Sequence, residues 1–171
     1  MDDILTQRLR LRRPTPDDLE AVHGLLSHPV GMRYWSTPPH ADIELSREWL
    51  ARMIARSAET GCDFLVEFEG RVIGKAGCYE PPEIGYIFHP DTWGRGFATE
   101  ALAAVIPRVF AVGAFDALLA DVDPRNTASL RLLEKLGFRE TGRGARTWLV
   151  GTEWCDSVYL QLGRDEFSAT K

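Results

Sequence analysis

The sequence predicts an α/β (α+β) domain in which a mixed, strongly twisted central sheet of about seven strands is flanked by about four helices. Three observations lead there. Segments with a two-residue apolar period alternate along the chain with segments of helical period, instead of segregating into one class. A run of strand-like segments leads through a glycine-rich turn directly into a helical pattern, the junction expected of a sheet covered by helices. Finally, 171 residues without a repeat, a low-complexity tract or a long linker fit a single domain spanning 1–171. A chain of that size buries about 70% of the surface its unfolded form exposes, enough for a core without staples.

Each element has a local reason. Arg8-Leu9-Arg10-Leu11-Arg12 alternates polar and apolar residues, as a half-buried strand does. Thr15 is placed to cap a helix, with Pro16 at its first position, Asp17 and Asp18 in its first turn, and Leu19, Val22, Leu25 and Leu26 at helical spacing. A loop at 29–40, rich in proline and aromatics, precedes a second helix from about Asp42 to Glu59, which Gly61 stops. Runs 64–68 and 72–74 form a hairpin across Glu69-Gly70, and 84–88 forms another strand. The next helical pattern covers 98–112; Pro107 has no N–H for the Ala103 carbonyl and is expected to kink or end it. A strand at 117–122, a helix from Asn126 to Leu136 stopped by Gly137, and two strands within 147–162 around Val150-Gly151-Thr152-Glu153 complete the order βααβββαβαββ.

Composition narrows the function. The net charge is −5, and the cations are 17 Arg and 3 Lys. An acidic domain is poorly suited to neutralising phosphates, so no nucleic-acid partner is expected. The N-terminus has neither a basic nor an apolar leader region, and the most apolar stretch, 101–120, is interrupted by Pro107, Arg108 and Asp116. Neither a signal peptide nor a membrane span is expected. Cys62, Cys78 and Cys155 are odd in number and form no C-x-x-C pair, which points to free thiols in the cytoplasm, with no metal site.

Two strings carry chemistry. In His89-Pro90-Asp91-Thr92-Trp93-Gly94-Arg95-Gly96-Phe97-Ala98-Thr99-Glu100, two glycines join a strand to a helix. Glycine lets a ligand approach the backbone, and a helix N-terminus offers orphan N–H groups and partial positive charge. The string reads either as a phosphate or pyrophosphate site reinforced by Arg95, or as a turn whose glycines serve backbone geometry alone. It lacks the Gly-Lys-Ser/Thr ending of a nucleotide P-loop and the G-x-G-x-x-G spacing of a dinucleotide fold. In the second string, Asn126 to Phe138, Asn126 is a good N-cap and Ser129 stands one turn later, with Leu130, Leu133 and Leu136 as the apolar stripe.

In this order and separation the two strings resemble the GNAT superfamily of acetyl-CoA-dependent N-acetyltransferases. Its Q/R-x-x-G-x-G/A signature falls on Trp93-Gly94-Arg95-Gly96-Phe97-Ala98. The Trp at the first place, the opening Thr6 to Arg12, the run Val30 to Trp35 and the ending Gly151 to Asp156 resemble the ribosomal-protein alanine acetyltransferase (RimJ/RimL-type) branch. The resemblance implies that Gly94, Arg95, Gly96, Ala98 and Thr99 hold the CoA pyrophosphate and that Trp93 also belongs to the cofactor site. It also implies that the backbone of Ile87 and Phe88 takes the pantetheine arm and polarises the thioester, and that Asn126 and Ser129 touch the cofactor. An attacking amine must be neutral, so a base is needed. Glu83 matches the family's acid position; His89 and Asp156 are alternatives. The Tyr that many members use as acid on the second helix is Leu133 here, which leaves Ser129 as the nearest donor, or departure of the thiolate unaided. Tyr34, Trp35, Trp154 and Asp156 are candidates for the acceptor pocket, while Cys155 reads as a structural thiol. The implied reaction is acetyl transfer from acetyl-CoA to a primary amine by direct attack, with a peptide or protein N-terminus as leading acceptor and monomer or homodimer as assembly. The alternatives are a small amine (amino acid, polyamine or aminoglycoside) and a non-catalytic CoA sensor.

Overall fold

A computed structural model of the chain describes residues 3–169. Its strands form two antiparallel sheets. The first runs in sequence order through β1 (Ile4–Leu5), β2 (Leu9–Arg12), β3 (Asp63–Phe68), β4 (Arg71–Gly77) and β5 (Gly85–Phe88). The second is ordered β6 (Ala117–Val122), β8 (Glu153–Gly163), β7 (Arg139–Val150). The sheets are joined by an isolated parallel bridge between Glu83 and Leu119. There the Ile84 N–H donates to the Leu119 carbonyl at 2.8 Å and the Leu119 N–H to the Pro82 carbonyl at 3.0 Å. Past that bridge no ladder links β5 to β6, so the combined sheet is mixed and splays open.

Five α-helices flank it among the described residues: α1 (Leu19–Leu26), α2 (Ile43–Thr60), α3 (Phe97–Val112), α4 (Thr127–Lys135) and α5 (Arg164–Ala169). On one face of the first sheet, Val22 and Leu26 of α1 and Leu50 and Met53 of α2 bury Leu65 and Ile87. On the other, Leu102, Val105 and Ile106 of α3 cover Phe64, Val66 and Ala76 in a core that continues to Leu118 and Val158 of the second sheet. Strand β3 is covered on both faces, which is why it reads as a continuous apolar run rather than an alternation.

The local signals act as read. Thr15 and Asp18 form a capping box, in which the Asp18 carboxylate accepts the Thr15 N–H at 2.7 Å. Asp42, expected as the first residue of α2, is instead its N-cap and accepts the N–H groups of Glu44 and Leu45, while Gly61 closes the helix at φ 63° as read. Glu69 and Gly70, at φ 50° and 76°, make the left-handed pair that a tight hairpin needs.

Three expectations change. Helix α3 does not end at Pro107 but runs through it to Val112. The freed carbonyl belongs to exposed Ala103, on the solvent side of the helix, while buried Val109 and Phe110 hold the last turn on the core. Strand β7 begins at Arg139, well ahead of the expected start at 147. The strands and helices exceed about seven and about four because the two-residue β1 and the short α5 carry no readable period.

Candidate active site

Strand β5 is the spine of the site, with Glu83 ahead of it and the glycine turn after it. The register pairs Lys75 with Ile87, and the His89 N–H donates to the Ile73 carbonyl at 2.9 Å. Backbone groups alternate sides along a strand. Amides of His89 and Ile87 therefore face β4, while those of Phe88 and Tyr86 face the open cleft and that of Ile84 is taken by the Leu119 carbonyl at the bridge. This corrects the expectation for Ile87, whose amide is turned to the neighbouring strand; the Phe88 amide is placed as expected, and Tyr86 adds one the sequence did not suggest.

The turn beyond β5 is a cradle made of backbone. Gly94 and Gly96 lie at φ 72° and 77°, and Gly96 is the N-cap of α3. A Cβ on Gly94 would meet nothing within 4 Å, so the space over the turn is open. The first amides of α3 have no helical acceptor and point out of the N-terminus with its partial positive charge. Trp93 is committed elsewhere: its indole N–H donates to the Phe88 carbonyl at 2.9 Å and ties the turn to β5. Behind the turn stands a residue whose role sequence reasoning missed. Arg8 donates to the Arg95 carbonyl at 3.0 Å and to Glu100 at 2.7 Å, and Glu100 also accepts the Thr6 hydroxyl at 2.6 Å. Arg8 and Arg95 both lie on the Phe97 ring, 4.5 and 4.7 Å from its centre.

On the opposite side of β5 a cavity of about 490 Å³ opens. Four predicted residues meet on its wall: Tyr34, Trp35, Glu83 and Asp156. Glu83 is exposed to solvent along one side, yet its carboxyl is pushed above the ordinary carboxylate range, first by burial against the wall, then by repulsion from Asp121 and Glu80. Asp121 accepts the Trp148 indole N–H at 2.8 Å. Asp156 accepts the Arg146 N–H at 2.8 Å and so steadies the left-handed residue in β7 at φ 54°. Neither Asp121 nor Trp148 was anticipated. Trp154 does not line the cavity, contrary to expectation. Trp148 and Cys155 are paired across β7 and β8 and both line it, so the next pair, Leu149 and Trp154, faces away. The Trp154 ring instead carries the Arg146 guanidinium at 5.2 Å.

Under the cavity lies a buried ion pair, Lys75 Nζ to Asp63 Oδ1 at 2.8 Å. Burial pushes the Asp63 carboxyl up, and the Lys75 charge offsets part of that. From the far side of the cleft, α4 supplies Asn126, whose side chain accepts the Ser129 N–H at 3.2 Å, and Ser129, whose hydroxyl is 2.6 Å from that of Tyr86. Leu133 is fully buried in the core and takes no part in the cleft. His89 uses Nδ1 to accept the Asp91 N–H at 3.3 Å and lies outside the cavity wall.

The site thus joins an open strand edge to a turn of backbone amides at one end and to an acid-walled cavity at the other. The chain belongs to the acetyltransferase (GNAT) domain family, which it matches over residues 8–139, and it is an N-acetyltransferase. Members use acetyl-CoA and an amine acceptor. It is similar to an uncharacterized N-acetyltransferase, p20, of Bacillus licheniformis, 29% identical over 83% of this chain and 85% of that one. It is also similar to a phosphinothricin N-acetyltransferase of Alcaligenes faecalis, 29% identical over 85% and 77%. Among solved structures, a GNAT-family acetyltransferase from Bacillus anthracis superposes with a TM-score of 0.83 at 27% identity, covering 96% of this chain and 99% of that one. RimL, a ribosomal L7/L12 alpha-N-protein acetyltransferase bound to coenzyme A, has the same fold at TM-score 0.83, 18% identity and coverage of 96% and 99%. Among the described residues no helix is long and apolar enough to cross a membrane.

Proposed function

We propose that this N-acetyltransferase transfers the acetyl group of acetyl-CoA to an α-amine, with a peptide or protein N-terminus as acceptor, by direct attack in a ternary complex. The observation that carries the reading is the layout of β5. Its open edge and the cradle after Phe88 suit a donor lying along the strand, while Glu83 presents a carboxylate to the cavity at the strand's other end. In this reading the amides of Gly94 to Thr99 hold the pyrophosphate, the Phe88 amide polarises the thioester carbonyl, and Glu83 takes the ammonium proton, directly or through water. A carboxyl raised by burial is better matched to that task than an ordinary one. The N-terminal acceptor rests on the RimJ/RimL-type strings and on a cavity wall of aromatic rings and carboxylates suited to a cation.

A second reading, a free amino acid as acceptor, is favoured by a specific observation. Arg33 and Arg52 line the same cavity, and neither is in an ion pair among the described residues, so a substrate carboxylate would find a partner there. The phosphinothricin relative points the same way. The test is acetyl-CoA consumption, read as thiol release, over N-terminal alanine and serine peptides, amino acids, polyamines and aminoglycosides. Peptide turnover well above the rest supports the first reading. Turnover confined to free amino acids replaces it with the second, and tight CoA binding without turnover on any amine overturns both.

A further inference from the structure

The cleft between β5 and α4 is crossed by one side-chain contact that the reaction as described does not use: Tyr86 Oη to Ser129 Oγ at 2.6 Å. The two residues come from opposite walls. Tyr86 projects from β5 onto the α3 face, where its ring packs on the main core, and Ser129 sits in the first turn of α4. Ser129 is fixed at its backbone, because its N–H is bound by the Asn126 cap at 3.2 Å. Its hydroxyl is fixed as well, by a partly buried phenol whose ring packs against the core.

The contact admits either hydroxyl as donor; the phenol is the more acidic of the two and is taken as the donor. Burial pushes the Tyr86 phenol up to about 12, with the Ser129 hydroxyl partly offsetting it, so Tyr86 keeps its proton at any working pH. A buried phenol needs a partner for its proton, and the Ser129 oxygen is the one at hand. If Tyr86 donates, the Ser129 hydrogen is released to point elsewhere, and a hydroxyl that accepts a hydrogen bond is a stronger donor in its turn. Donation continues outward from the core into the cleft.

We propose that Tyr86 is a positioning residue that aims the Ser129 hydroxyl as a hydrogen-bond donor to the departing CoA thiolate. This rests on the acetyl-transfer reading of the site. In the step concerned, the amine nitrogen bonds to the thioester carbon, the carbon–sulfur bond breaks, and its electron pair goes to sulfur. The amine proton passes to Glu83 and on to solvent. Neither hydroxyl surrenders its proton: a phenol near 12 and an aliphatic alcohol above it both hold their protons against a thiol near 8.5. The pair therefore stabilises developing charge on sulfur, as an oxyanion-type donor does, and the thiolate is protonated by water after it leaves. This revises the expectation that Ser129 acts as an acid and accounts for function without a Tyr at position 133.

The test uses the full chain with an amine that the wild type acetylates. It compares Tyr86→Phe, Ser129→Ala, Ser129→Thr and the Phe/Ala double variant for kcat, for the KM of acetyl-CoA, and for CoA affinity by calorimetry. The expected result is a roughly tenfold loss of kcat in each of Tyr86→Phe and Ser129→Ala, with CoA affinity within twofold of wild type. The double variant should fall no further than the worse single, because the two hydroxyls act as one unit, and Ser129→Thr should keep most of the rate. A Tyr86→Phe variant with wild-type kcat, or with a loss confined to KM, overturns the proposal, and so do losses that multiply in the double variant. If Tyr86→Phe does not fold, Ser129→Ala against Ser129→Thr decides: equal losses overturn the proposal. Failure of the underlying reading looks different, because then the wild type itself turns over no amine.

Discussion

In the proposed reading, the donor side and the acceptor side of β5 are built on opposite plans. The donor side is one continuous string, 89–100, and it acts through its backbone: two left-handed glycines and the first amides of α3. The acceptor side is gathered from several separate stretches, among them those of Tyr34, Glu83, Asp121, Trp148 and Asp156, and it acts through side chains. A backbone device depends on local conformation and tolerates almost no change at its glycines. A side-chain device depends on the sheet register that brings distant residues together and can be altered piece by piece. The most damaging substitutions should separate the two functions cleanly.

The largest effect is expected at the cradle. Gly96→Val forces a β-branched residue to φ 77° and sets its branches where the donor phosphates approach. CoA binding by calorimetry should be lost, by about 100-fold or more, while thermal unfolding remains cooperative. Normal CoA affinity in this variant would remove the phosphate site from the turn. The acceptor side has its counterpart in the ion pair beneath it. Asp63→Asn leaves Lys75 buried without a counter-charge and should cost about 3–5 kcal/mol in chemical denaturation. Replacing both partners together, Asp63→Leu with Lys75→Met, should recover most of that loss. A double variant no more stable than the single would mean that packing, not the unpaired charge, sets the cost.

Glu83→Gln sharpens the comparison, because it should touch only one half. The rate is expected to drop tenfold or more with CoA affinity unchanged. The pH profile carries a sign. The folded carboxyl is raised by burial, Asp121 and Glu80, so the wild-type rate should climb with pH through a value above the ordinary Glu range as the base ionises. The same shift means that the folded state binds the proton more tightly than the unfolded one. Ionised Glu83 therefore weakens the fold as pH rises through that range, and at neutral pH Glu83→Gln should unfold at a slightly higher temperature than wild type. Lower activity together with lower stability would show that Glu83 is structural.

How much of this was readable in the sequence follows the same division. The cradle was, because glycines, a helix start and a preceding strand are all local. So were the position of Glu83 at the head of β5 and the caps Thr15 and Asn126, while Asp42 was legible only as the start of α2. Arg8 was visible only as part of a strand; its grip on Arg95 joins residues 87 positions apart and has no local signal. Strand β7 was half missed because Arg139 to Arg146 is polar, holds two glycines and has no apolar alternation; pairing with β8 makes it a strand despite two register shifts. Ile87 was misassigned because the sequence cannot say which amides of β5 face the neighbour and which the cleft. Tyr86 escaped because an aromatic in a strand reads as core until its hydroxyl is seen against Ser129.

Trp148 and Trp154 are the smallest test, and the one that depends most on register. From sequence only Trp154 is drawn to the acceptor pocket, although both tryptophans stand in neighbouring strands near a tight turn. In the fold they are 46% exposed each and lie on opposite faces of the β7–β8 ribbon. Trp148 donates its indole N–H to Asp121, beside Glu83, while Trp154 lies outside the cavity. Trp148→Phe keeps an aromatic wall but removes that donor, so the Asp121 carboxylate is freed at full charge against Glu83. The acceptor KM should rise or fall about threefold, within the worth of one hydrogen bond, and the Glu83 limb of the pH profile should move to higher pH because the neighbouring charge is less satisfied. Trp154→Phe should leave both unchanged. A change of either quantity with Trp154 and none with Trp148 would place the ribbon one residue out of register, and with it the whole side-chain wall of the acceptor side; the cradle, made from backbone, would be untouched.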